Sequence, residues 1–107
     1  MEYKPLSINY ISQKLIPVFM EFEVSKAAVF GSCARGEMCR GSDVDVLVDI
    51  GNRASGLVFI DLKRKLESVL RRKVDLISFK SLDYSNIKNE ILSDAKVIYE
   101  KRHHNST

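Results

Sequence analysis

The chain has 107 residues, with 45% hydrophobic and 29% charged, and a formal net charge of +3. That length suits one domain of the usual ~100–150 residues, and the apolar content excludes a disordered chain. No apolar run approaches the ~20 residues of a membrane span, Met1–Tyr10 carries no secretory leader pattern, and two cysteines make neither a disulfide framework nor a four-ligand zinc site, so a reduced cytoplasmic setting is expected.

From Leu6 to Phe22, the apolar residues Ile8, Ile11, Leu15, Val18, Phe19 and Phe22 recur at three-and-four spacing, which predicts an amphipathic helix with Ser7 as its N-cap. Pro17 lies inside that span and lacks an N–H, so a kink or a restart is expected there. Lys26–Phe30 is a short run of small, β-branched and aromatic residues ending at Gly31-Ser32, and reads as a buried strand. Cys33 to Glu37 is compatible with one helical turn, and Gly36, Gly41 and Ser42 mark a loop. The clearest strand is Val44 to Ile50, stopped by Gly51-Asn52. Ser55-Gly56 opens a helix to about Arg72 with an apolar face of Phe59, Leu62, Leu66, Val69 and Leu70. Val74–Ser78 is a third strand, Ser85–Asp94 a short helix, and Lys96–Glu100 a final short strand.

Strands alternate with helices, so an α/β or α+β domain is expected, with helices packed on a small mixed sheet. The link from Ser32 to Asp43 is too short for a crossover helix, which makes the first two strands antiparallel. The link from the second strand to the third holds a long helix and fits a parallel crossover. Residues 1–100 are expected to form one domain and 101–107 a flexible polar tail.

Asp43 and Asp45 stand two apart at the mouth of the second strand, so both carboxylates face one side, with Cα atoms ~6.6 Å apart. Asp75 sits inside the apolar third strand and can join them if the two strands are neighbours. Burying an unpaired carboxylate is unfavourable, and three on one face repel unless cations intervene. Two Mg²⁺ ions ~3.5–4 Å apart, held by carboxylates and phosphate oxygens, would resolve that repulsion and suit displacement at phosphorus. The plainer alternative is that Asp at a strand end faces solvent or caps a turn, as Asp49 can, and that Asp75 pairs with Lys73 or an Arg.

Gly31-Ser32 follows a buried strand and precedes a helical turn. Glycine lets the backbone approach a ligand, and N–H groups with the Ser32 hydroxyl suit an anion. Arg35 is placed to add a charge-assisted bond to phosphate. The alternative is a plain tight turn with a surface Arg. Neither a P-loop nor a G-x-G-x-x-G fingerprint is present.

Together the chain reads Val-Phe-Gly31-Ser32-Cys-Ala-Arg35-Gly-Glu, then Gly-Ser-Asp43-Val-Asp45-Val-Leu-Val. This closely resembles the minimal nucleotidyltransferases of the DNA polymerase β superfamily. A match at the fixed spacing of Gly31, Ser32, Asp43 and Asp45 arises by chance with probability on the order of 10⁻³ in a chain this long. The resemblance spans about Val24 to Tyr99. It implies that Gly31 and Ser32 hold a nucleoside triphosphate. It further implies that Asp43 and Asp45 ligate two Mg²⁺ ions (or Mn²⁺), and that Asp75 completes the metal site and acts as base toward the attacking hydroxyl. The implied reaction moves a nucleoside monophosphate from an NTP to a hydroxyl and releases pyrophosphate. Larger members carry a further domain for the acceptor, so here a partner chain or a homo-oligomer is expected to supply it. Stand-alone proteins of this type look like antitoxins paired with HEPN-type toxins, which implies AMP transfer from ATP to a toxin tyrosine. Two other readings stay open: an antitoxin that acts by masking its partner, and transfer to a small molecule such as an aminoglycoside.

Other features carry less. Cys33 and Cys39 read as incidental thiols, and His103 and His104 as uninvolved. The basic stretches Lys63-Arg64-Lys65 and Arg71-Arg72-Lys73 read as a solvated helix face, with little aromatic interleaving for nucleic acid.

Overall fold

The structure is a computed structural model that describes residues 7–31, 34, 43–51 and 56–101. The first helix, α1 (Ile8–Glu21), starts where the Ser7 hydroxyl accepts the Tyr10 N–H at 3.1 Å, which satisfies one of the open first-turn donors. Pro17 lies within α1 and the helix continues past it, so the expected restart does not occur. Burial of Ile11, Leu15, Val18 and Phe19 along one face holds the helix together across the missing N–H.

Strands β1 (Lys26–Phe30), β2 (Val44–Asp49), β3 (Val74–Ser78) and β4 (Lys96–Glu100) form a sheet in the order β3-β2-β1-β4. β1 runs antiparallel to β2, and β2 parallel to β3, as the two link lengths require. The helix α2 (Gly56–Leu70) makes the crossover between the parallel pair. The sequence did not foretell where β4 goes: it pairs antiparallel with β1, and its register shifts by one residue opposite Ala27 and Ala28. The Lys101 N–H then donates to the Ser25 carbonyl at 2.8 Å, so the first residue of the expected tail is tied to the sheet.

Alternation along the strands divides the core into two clusters. Val29, Val46, Val48 and Val74 face α1 and α2, and meet Leu15, Phe19, Leu62 and Leu66. Ala28, Phe30 and Leu47 face the other way and are covered by Leu82 and Ile91. Leu82 belongs to a 3₁₀ helix (Phe79–Tyr84) and Ile91 to α3 (Lys88–Asp94). The helix expected over Ser85–Asp94 is α3, which starts only at Lys88, and the 3₁₀ helix ahead of that span was not expected. Ser78 caps the 3₁₀ helix by accepting the Ser81 N–H at 3.1 Å.

Phe19 is fully buried, and its ring lies 5.8 Å from that of Tyr99 between α1 and β4. Phe19→Ala is expected to cost about 3–5 kcal/mol, because the sheet cannot collapse into the void. A urea melt followed by circular dichroism measures it.

Candidate active site

The antiparallel β1–β2 pair brings the end of one strand to the start of the next: Phe30 stands opposite Asp45. Gly31, the next residue, turns with φ +72°, in the left-handed region that glycine tolerates. A Cβ at this position would overlap a carboxylate oxygen of Asp45, and would stand 3.4 Å from its Cγ and 3.7 Å from its Cβ. The bend and the carboxylate are in direct van der Waals contact. Glycine is needed at 31 for its backbone angle and for the room it leaves Asp45.

In the parallel pair, Asp45 stands opposite Asp75. Paired residues on neighbouring strands point to the same face, with backbones ~4.8 Å apart. Asp43 lies two residues before Asp45 and just ahead of β2, so alternation puts it on that face too. Leu47 and Ile77 lie further along the same face, under the 3₁₀ helix and α3. Asp45 is half-buried, and Asp43 and Asp75 are exposed. The carboxylates thus occupy the uncovered end of a sheet face whose other end is packed. Among the described residues, no three His, Cys, Asp or Glu side chains converge closely enough to hold a metal ion by themselves. The three aspartates share a face and an end of the sheet without closing into a cage.

Asp49, on the same face at the far end of β2, accepts the Gly51 N–H at 2.9 Å and caps that turn. Beside it, Val48, Ile50, Gly56, Phe59 and Lys80 line a cavity of about 230 Å³. From Asp45 to Asp49 is about 13 Å along the strand, so this cavity is not part of the carboxylate cluster. Ser32, Arg35, Cys33, Cys39, His103 and His104 lie outside the described residues, as does the helical turn expected over Cys33–Glu37, apart from a buried Ala34. Lys63, Arg64, Lys65, Arg71 and Lys73 are exposed and Arg72 is half-buried, in keeping with a solvated basic face.

One residue of this neighbourhood escaped the sequence reading. A carboxylate oxygen of Glu67, on α2, accepts the Val74 N–H at 2.9 Å. A glutamate among the basic residues of a helix's closing turns, where the helix dipole disfavours negative charge, was the available sign.

The four-stranded mixed sheet with its parallel crossover is a nucleotidyltransferase fold. The chain belongs to the polymerase beta nucleotidyltransferase family, whose profile matches residues 13–104. The protein adenylyltransferase MntA of Thermococcus cleftensis is 44% identical over 78 residues, 73% of this chain and 76% of its own length. A chain from the crystal structure of a toxin–antitoxin with AMP-PNP superposes with a TM-score of 0.71, at 22% identity, over 89% of this chain and 77% of that one. Another comes from a tri-AMPylated Shewanella oneidensis HEPN toxin in complex with MNT antitoxin. It superposes with a TM-score of 0.66, at 19% identity, over 92% of this chain and 76% of that one. At such identities the two structures speak for the fold alone. Among the described residues no helix is long and apolar enough to cross a membrane.

Proposed function

We propose that this chain transfers AMP from ATP to a tyrosine hydroxyl of a partner protein, a HEPN-type toxin, and serves as the antitoxin of that pair. The observation that carries the reading is the contact between the Gly31 bend and Asp45, with Asp75 opposite. It sets a close-approach backbone for a triphosphate beside the carboxylates that its counter-ions need. The name of the 44%-identical relative supports protein as the acceptor class.

In this reading the Gly31 bend, with Ser32 and Arg35 beyond it, holds the triphosphate. Asp43, Asp45 and Asp75 are hard oxygen donors that would hold Mg²⁺ or Mn²⁺. Mg²⁺ is commonly bound through one or two carboxylates plus phosphate oxygens and water, so a facing pair fits it without a closed protein cage. When bound, such ions neutralise the phosphate charge that would otherwise be repelled from this face. Asp75 accepts the proton of the incoming hydroxyl. The new phosphoester forms at the α-phosphorus, the α–β anhydride bond breaks, and pyrophosphate leaves.

The test mixes the chain with α-labelled ATP, a divalent cation and the product of the adjacent gene. Label is expected on a tyrosine of that product, and an unlabelled product overturns the reading. The Asp43→Asn/Asp45→Asn double variant separates chemistry from masking: it is expected to lose neutralisation of the partner. Full neutralisation by that variant makes occlusion the mode of action. Turnover of an aminoglycoside by the chain alone would move the acceptor to a small molecule.

A further inference from the structure

We propose that Glu67 is a positioning residue for the transfer reaction: its carboxylate clips the start of β3 and so sets Asp75 opposite Asp45. The proposal rests on the reading of Asp75 as base.

The geometry of the α2–β3 turn leads to it. α2 ends at Leu70, and Arg71 takes φ 56°, a left-handed turn made without glycine. Two residues later the chain is already paired, since the Val44 N–H donates to the Lys73 carbonyl at 3.0 Å. The Lys73 backbone therefore points toward β2. Backbone groups alternate along a strand, so the Val74 N–H points away from β2, and the Asp75 groups point back toward it. β3 is the outermost strand on that side among the described residues. The Val74 N–H would face outward from a sheet edge, half sheltered under the end of α2. Glu67 fills this position at 2.9 Å, reaching back across seven residues.

This bond closes a tight turn whose next residue is Asp75. The Val44 N–H bond to Lys73 and the burial of Val74 hold the start of this five-residue strand from β2 and from the core, and Glu67 holds it from the outer edge, where an unpinned strand frays first. Fraying here displaces the proposed base rather than the nucleotide cradle, because Gly31 and Asp45 are built on β1 and β2. The consequence falls mainly on the chemical step, because the Gly31 bend, Asp43 and Asp45 keep their places for the triphosphate and its counter-ions. A misplacement of ~1 Å is enough to cost on the order of 10²-fold in rate.

The experiment compares wild type, Glu67→Ala, Glu67→Gln and Asp75→Asn in the labelled-ATP assay with the partner, well below the melting temperature of each. Glu67→Ala is expected to lower kcat by about 10-fold or more with KM for ATP within about twofold. Glu67→Gln keeps an amide oxygen as acceptor and is expected to stay within about threefold of wild type. Amide hydrogen exchange on the same samples should show faster exchange at Val74 and Asp75 in the alanine variant, with protection restored by glutamine. A folded Glu67→Ala protein with wild-type kcat, or unchanged exchange at Val74, overturns the proposal. So does a glutamine variant as impaired as alanine, since that would make charge the operative property. The two failures differ in pattern. An active wild type with an inactive Asp75→Asn and a fully active Glu67→Ala removes only this inference, whereas a wild type that labels nothing removes the reading of Asp75 as well.

Discussion

Asp45→Asn is expected to lower the transfer rate by at least ~10³-fold while leaving the fold intact. Asp45 occupies the junction of the site: it stands opposite Phe30 across β1, opposite Asp75 across β3, and against the Gly31 bend. Any charge brought in to bridge the triphosphate and the protein must meet this carboxylate. Loss of several kcal/mol of charge stabilisation at ~1.4 kcal/mol per decade gives a drop of that size. Asparagine matches aspartate in shape, so the contact with Gly31 persists and the melting temperature should move by no more than a few degrees. The internal control is Asp49→Asn. Asp49 lies on the same strand and the same face, about 13 Å away, and its bond to the Gly51 N–H survives through the amide oxygen. Its transfer rate should stay within about twofold of wild type. Single-turnover assays with labelled ATP and thermal melts on the three proteins decide the matter. Equal losses at Asp45 and Asp49 would show that general surface charge, not a site, drives the reaction.

What the sequence revealed, and what it hid, follows from how local each cause is. The β2 strand was legible because Val44 to Asp49 carries β-branched residues at alternate positions, and the short Ser32–Asp43 link left only an antiparallel return. Asp75 could be assigned to the face of Asp45 once the crossover was read as parallel, because register then fixes the face. The restart that Pro17 allowed does not occur, because a missing N–H is a local penalty, whereas the four buried residues of α1 are a tertiary gain. The place of β4 beside β1 was hidden, since its pairing joins residues some seventy positions apart and no short-range pattern encodes it. Glu67 was half hidden for a related reason: its acidic place in a basic helix end was a sign, but its partner is a backbone N–H, which the residue string does not name. The steric role of Gly31 was half visible. Its turn could be read, but its contact with Asp45 needs the β1–β2 register.

That contact makes Gly31→Ala the most informative single substitution, because the chain holds a matched control. Gly31 and Gly51 both adopt φ +72°, so alanine at either position bears the same left-handed backbone penalty of ~1–2 kcal/mol. In a domain of this size that lowers the melting temperature by about 4–8 °C per kcal/mol. The surroundings differ. At Gly51 the nearest atom to a new Cβ among the described residues is the Ser25 hydroxyl oxygen at 3.8 Å, an ordinary contact. At Gly31 the new methyl overlaps the Asp45 carboxylate, which must rotate or shift from the place it holds opposite Asp75. Both variants should therefore lose stability, Gly31→Ala more than Gly51→Ala. Only Gly31→Ala should lose transfer, by at least ~10²-fold for a displacement near 1 Å. Parallel melts and labelled-ATP rates on the two proteins measure the difference. If both lose activity in proportion to their stability, the bend serves the fold alone. If Gly31→Ala is folded and fully active, the carboxylate does not need the place it occupies, and the site must be sought elsewhere.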